Sequence, residues 1–183
     1  MKQIFLLACM AFAASCTNQT STGTTSVDAK STDTSSTAKI IYPYEVDKIP
    51  DWIPGDPQNA LNALKALKAY ETNNMVESVS YFGDSVLFLA DKYEENLSND
   101  SLKAMFMADA KNGHTVKIKM NDWESVKSKD GKEEWVSMWY RQYVTDKAGK
   151  VDSAEVMDDL KFKNGKIILL DEKRRHFPDK KKL

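Results

Sequence analysis

Cysteine is nearly missing from this chain of 183 residues. Only Cys9 and Cys16 occur, both close to the N-terminus, which leaves the rest with no disulfide framework, thiolate metal site or cysteine nucleophile. Histidine is as scarce. His114 and His176 are the only two, and neither has metal-ligand spacing to other donors, so neither a bound metal nor a histidine-based triad is expected. An excess of one charge is also missing: 26 Lys and Arg stand against 27 Asp and Glu, for a formal net charge of -1. That balance argues against a nucleic-acid partner. Nor is there a long hydrophobic run. The stretch from Ile4 to Ala14 is about half the length a membrane-crossing helix requires, which excludes it as a transmembrane anchor.

The same stretch reads as a secretory signal over residues 1–15, with Lys2 as its positive start and small residues before Cys16. Ala13-Ala14-Ser15-Cys16 resembles a bacterial lipobox, in which the cysteine becomes the lipidated first residue of the mature protein. An ordinary secreted protein cleaved nearby is the alternative. Leu6-Leu7-Ala8-Cys9 fits the pattern locally but leaves too short an apolar run before it. Residues 16–38 are mostly Ser and Thr, with no aromatic residue, and cannot bury enough surface to offset their ordering entropy. They predict a flexible tether with a reach of roughly 25 Å. Residues 39–55 interleave Ile40, Ile41, Tyr42, Tyr44 and Trp52 with Pro43, Pro50 and Pro54. Such spacing of proline predicts an extended strap with Trp52 anchored on the domain. Residues 178–183, with Lys180-Lys181-Lys182, read as a solvated basic tail.

Between strap and tail, residues 56–177 carry the folding signals. Asp56-Pro57 is an N-cap followed by a proline at the first helical position, opening a helix to about Tyr70 with Ala60, Ala63, Leu64 and Leu67 on its apolar face. Asn74, with Glu77 three residues on, caps a short second helix that Gly83 is expected to end, and a short strand follows from Val86 to Leu89. A third helix spans about Asp100 to Lys111 and stops at Asn112-Gly113. Beyond it the apolar period changes to two, with Val116, Ile118 and Met120 alternating with polar residues. Asp130-Gly131, Asp146 to Lys150 and Asn164-Gly165 then punctuate alternating runs as hairpin turns. Three successive hairpins predict a four-stranded antiparallel meander, and with three helices ahead of it the fold class is α+β.

The order of elements resembles the nuclear transport factor 2 superfamily, which includes SnoaL-like polyketide cyclases and ketosteroid isomerase. The residues that carry the likeness are Ala69 to Asn74, Tyr81 to Val86, Thr145 to Lys150 and Asp158 to Ile167. The likeness covers about residues 56–177. It implies a cone, a curved antiparallel sheet wrapped by three N-terminal helices with a pocket in its open end, in a family of enzymes, binding domains and many homodimers. Fold alone does not choose among these.

The candidate site follows from that likeness and from alternation. In the isomerase pattern an oxyanion-stabilising aspartic acid lies four residues before the phenylalanine of the Gly-Lys turn. Asp158 stands in that relation to Phe162. Alternation puts Val156, Asp158, Leu160 and Phe162 on one face, so Asp158 is a lone acid in an apolar row whose pKa should be raised. Pairing with that row turns Tyr140 and Gln142 inward. The isomerase tyrosine maps near Ala66, with Tyr70 a turn further on, and its general base maps near Leu89, with Asp91 just beyond. Proton abstraction therefore lacks an evident base. The strand from Trp135 to Val144 has bulky residues on both faces, so both are expected to be covered, one by a subunit contact or the strap. Glu133-Glu134 and the run Asp171 to Arg175 read as solvated charge.

These signals together predict a lipid-anchored protein of the bacterial cell envelope, attached to the membrane through Cys16. Its domain is expected to be a non-catalytic small-molecule-binding or protein-interaction module, homodimeric, without a cofactor. Tyr140, Gln142, Asp158, Leu160 and Phe162 are the expected ligand-binding residues, and the expected ligand is small and apolar. The alternative is a SnoaL-like isomerase, cyclase or hydratase acting on a small apolar carbonyl compound, with Asp158 as acid and Tyr140 or Tyr70 assisting. A purely structural envelope protein is the third reading.

Overall fold

A computed structural model describes residues 43–44, 51–111 and 113–177. The expected signal, Cys16, the tether, most of the strap, Asn112 and the basic tail lie outside the described residues. The chain divides into two units, residues 1–45 and 46–183. Of the first, only Pro43 and Tyr44 are described, and both are exposed. The second contains every element below. Among the described residues no helix is long and apolar enough to cross a membrane.

The order of elements is β1 (Trp52–Pro54), α1 (Pro57–Glu71), α2 (Met75–Ser80), β2 (Phe82–Ala90), β3 (Tyr93–Ser98), α3 (Asn99–Lys111), β4 (Thr115–Ser128), β5 (Glu134–Thr145), β6 (Val151–Lys163) and β7 (Lys166–His176). One seven-stranded sheet runs in the order β1-β4-β5-β6-β7-β2-β3. It is antiparallel except where β2 runs parallel to β7, and it is curved and unclosed. The meander β4-β5-β6-β7 is the one expected from the turns. At Asn164 and Gly165 both φ angles are positive, 53° and 74°, the backbone a two-residue hairpin requires.

Local chemistry sets the helix ends. Asp56 accepts a bond from the Gln58 amide at 2.8 Å, with Pro57 in the first turn. Asn73, at φ 65°, turns the chain out of α1. Asn74 accepts from the Glu77 amide and donates to its carboxylate. Gly83 does not end α2, as the sequence suggested; Tyr81 caps it, and Gly83 lies in β2 against the Ile168 side chain. Ala60, Ala63, Ala66 and Ala69 make a small-residue spine on the buried side of α1. The Ser78 hydroxyl docks α2 on it by donating to the Ala66 carbonyl at 2.9 Å.

Two strands depart from expectation. β2 is nine residues long rather than four, and it pairs with β3, which the sequence did not reveal. β3 is an edge strand on which only Leu97 is buried, so its sequence YEENLS shows no apolar row. Trp52 is not an anchor: it is 46% exposed. In the three-residue edge strand β1 it faces away from half-buried Ile53, because neighbours on a strand point to opposite sides.

The core fills the space between the helices and one face of β5, β6, β7 and β2, with Val86, Leu102, Val136, Met138, Leu160, Phe162 and Ile167 among its members. Two register irregularities interrupt the ladder of the meander. In β4 the pairing with β5 slips between Met120 and Asp122. In β7 the pairing skips Ile168, since Phe162 opposes Ile167 while Lys161 opposes Leu169. A bulge of this kind bends and twists the strand that carries it.

Candidate functional site

The inner rows of β5 and β6 are the sequence alternation made visible. Val136, Met138, Tyr140 and Gln142 are buried, as are Ala154, Val156, Asp158, Leu160 and Phe162. Together with α1, α3, β2 and β7 these strands enclose a cavity of about 370 Å³. Its walls are largely apolar, from Ala63, Ala66 and Leu67 on α1, Phe82 and Phe88 on β2, Met105 and Phe106 on α3, and Met138 and Leu160 on the sheet. Polar groups gather on the sheet side, Tyr140, Gln142, Asp158, Glu172 and Arg174, and Tyr70 joins the lining from α1. A second chamber of about 410 Å³ shares Tyr70, Gln142 and Arg174 with the first and adds Glu71, Thr72, Asn73, His114 and Thr115. It adjoins the first chamber at those three residues.

Asp158 is the centre of the polar side. It is 5% exposed. The Tyr140 hydroxyl donates to its Oδ2 at 2.8 Å, and its Oδ1 has no hydrogen-bond partner among the described residues. Burial is the main cause that raises its pKa, to about 7, and the nearby Glu172 carboxylate adds to the rise; the Tyr140 hydroxyl and Arg174 oppose it. Burial and the Asp158 charge push the Tyr140 phenol well above its ordinary value. Arg174 joins Glu172 at 3.1 Å and donates to the Gln142 carbonyl at 3.1 Å. Tyr70 stands at the rim, its ring edge-on to Phe106 at 5.4 Å.

The structure thus brings Tyr70, Tyr140, Gln142, Asp158 and Leu160 to one cavity, all but Tyr70 on its sheet wall. Phe162 is not on it; it is 3% exposed in the hydrophobic core, without a place in the cavity lining. Ala66 lines the cavity. Leu89 is half-buried on β2 and Asp91 is exposed in the β2–β3 turn, so neither puts an acid where the isomerase pattern has its base.

Glu172 and Arg174 are the polar groups that the sequence pattern concealed, since Asp171 to Arg175 reads as solvated charge. The bulge at Ile168 explains the miss. Inward positions fall at Ile167 and then at Leu170, three residues on rather than two. From there alternation carries Glu172 and Arg174 to the cavity, where Glu172 opposes Asp158 and Arg174 opposes Val156. Asp171, Lys173 and Arg175 take the other face. The usable signal was the length of the alternating run, which continues past the apolar residues.

The outer row of β5, Trp135, Ser137, Trp139, Arg141 and Tyr143, is half-buried throughout. Part of it is covered: Lys161 lies over the Trp135 ring at 5.5 Å, and the Phe177 ring lies against Arg141 at 4.6 Å. Among the described residues no group of three His, Cys, Asp or Glu is placed to hold a metal ion.

Comparison with known proteins locates this geometry. No protein-family model matches the sequence, and no curated protein matches it. Solved structures do. An LEH-like epoxide hydrolase of M. tuberculosis superposes with a TM-score of 0.54 at 10% identity, over 65% of this chain and 84% of that one. A nuclear transport factor 2-like protein of unknown function from Burkholderia pseudomallei gives 0.51 at 10% identity, over 66% and 91%. A protein from Kribbella flavida named as a "putative ketosteroid isomerase" gives 0.50 at 8% identity, over 67% and 82%. At these identities the likeness is one of fold, and it agrees with the sheet order, the three helices and the cavity described above: the chain has the nuclear transport factor 2-like cone fold.

Proposed function

We propose that the domain binds a small, mainly apolar molecule with one polar end. The observation that supports this most directly is the buried Asp158, whose Oδ1 lacks a partner among the described residues and which lines a cavity large enough to hold a ligand. A buried polar atom left unpaired costs about 1–3 kcal/mol, and a ligand group that bonds to it removes the cost. The rest of the reading concerns setting. Lipidation at Cys16 would tether the domain to the bacterial envelope, and the half-buried aromatic row on the outside of β5 suits contact with a second copy. Native mass spectrometry of the protein from its own cells tests both parts. A bound small molecule and a dimer mass support them; an empty monomer overturns them. Membrane retention unchanged in Cys16→Ser would sink the lipid anchor.

One observation favours a second reading, a SnoaL-like isomerase, cyclase or hydratase. Glu172 supplies a carboxylate within the cavity beside the acid Asp158, and two carboxyls in unlike environments can divide the roles of acid and base. Steady turnover of a small carbonyl compound, lost in both Asp158→Asn and Glu172→Gln, would establish it.

A further inference from the structure

The cavity contains two carboxyl groups, Asp158 and Glu172, and one guanidinium, Arg174. Arg174 is committed to Glu172 at 3.1 Å and to the Gln142 carbonyl, and it lines the second chamber as well. One acid is therefore left without a counter-charge. It is the deeper of the two, and its Oδ1 has no partner among the described residues. The same cavity is lined by Tyr70, Phe88 and Phe106, and aromatic rings of this kind attract a cation.

We infer that the cavity selects a lipophilic amine, its ammonium taking the place beside Asp158 Oδ1 and its apolar body lying against the aromatic walls. This rests on the binding function proposed above and narrows its ligand. In the empty cavity charge balance is reached by a proton on Asp158, consistent with the raised pKa of that group. An arriving ammonium makes the proton redundant, so Asp158 releases it to solvent and forms a charge-assisted hydrogen bond. The charged and titratable groups around Asp158 are Tyr140 on β5, Glu172 and Arg174 on β7, Tyr70 on α1, and Asp159 on the opposite face of its own strand. Only Arg174 among them carries positive charge.

The test uses three probes of similar size, phenylbutylamine, phenylbutanol and the ketone benzylacetone, titrated calorimetrically into the protein at several pH values. Phenylbutylamine should bind tightest, with an affinity that rises about tenfold per pH unit below pH 7 and levels off above it. Paired buffers of different ionisation enthalpy should show about one proton released per amine bound at the acid end. Asp158→Asn should weaken the amine at least about tenfold and flatten its pH profile. Glu172→Gln, which leaves one acid to one guanidinium, should weaken it as well. A ketone that binds more tightly than the amine, with affinity falling as pH rises, overturns the inference and leaves the binding function standing. So does an amine affinity without pH dependence. If none of the three probes binds, the binding function falls and this inference with it.

Discussion

Asp158 and Asp159 are neighbours in sequence and identical in chemistry, and the pleat of β6 sends them to opposite sides of the sheet. Asp159 accepts bonds from the Ser137 hydroxyl and from Lys173 on the outer face. Asp158 meets one tyrosine hydroxyl and an apolar cavity. The outer face handles charge by pairing it in water's reach, where each pair is screened and weak. The inner face holds a charge-bearing group in low dielectric, where it becomes a proton store. What distinguishes the two aspartates is the side of the strand, one residue apart.

The comparison can be broken most severely on the inner side. Phe162→Ala should cost about 3–5 kcal/mol, since a large buried ring leaves a cavity behind, whereas Met157→Ala on the half-buried outer row should cost well under half of that. Urea denaturation of both variants measures the contrast.

The next effect in size is that of pH. Asp158 ionises near pH 4 in an unfolded chain and at about 7 in the folded one. Between those values the folded state holds the extra proton, so stability falls as pH rises through the window and levels off above it. The slope sums to roughly 4 kcal/mol at 1.36 kcal/mol per pKa unit. Asp158→Asn should remove this decline, and Asp159→Asn should leave it in place. Denaturation curves from pH 4 to 8 for the three proteins decide the matter; a decline that survives in Asp158→Asn would refute the assignment.

A smaller change sharpens the same contrast. Tyr140→Phe removes the hydrogen bond that Asp158 Oδ2 accepts and should cost about 1–2 kcal/mol. Because that bond lowers the Asp158 pKa, its loss should move the pH midpoint upward, readable from the carboxyl resonance by NMR. Smallest of all is Lys173→Ala on the outer face. Its partners Asp159 and Asp171 are part-exposed, so the change in stability should stay within about 0.5 kcal/mol and shrink further in high salt.

The inner face was legible in sequence where the code was local. Val156, Asp158, Leu160 and Phe162 form a period-two row, and Asn164-Gly165 fixes the turn beyond them. Tyr140 and Gln142 followed from strand pairing. What could not be read depends on partners remote in sequence. β3 is polar because Leu97 is the one residue it buries. Trp52 is apolar without being buried, since one residue of a three-residue strand can face only one way. Phe162 shares the row of Asp158 but lies in the core, because alternation gives the side of a sheet and not the depth along it. Glu172 and Arg174 were hidden by the shift in parity at Ile168.

That shift has a consequence for how such a cavity can change. A ladder running evenly from the Asn164-Gly165 turn would set Asp171 opposite Asp158, and Glu172 and Arg174 would face outward. The extra residue puts the charged run half a period out of step and so chooses which set of its alternating side chains the cavity receives. One further residue inserted beyond Ile168, with the pairing otherwise kept, would exchange Glu172 and Arg174 for Asp171 and Lys173. The acid-to-base ratio would survive, while a planar forked cation gave way to a compact one. A single insertion, distant from any ligand and altering no lining residue by substitution, could thereby re-specify the chemistry of the chamber.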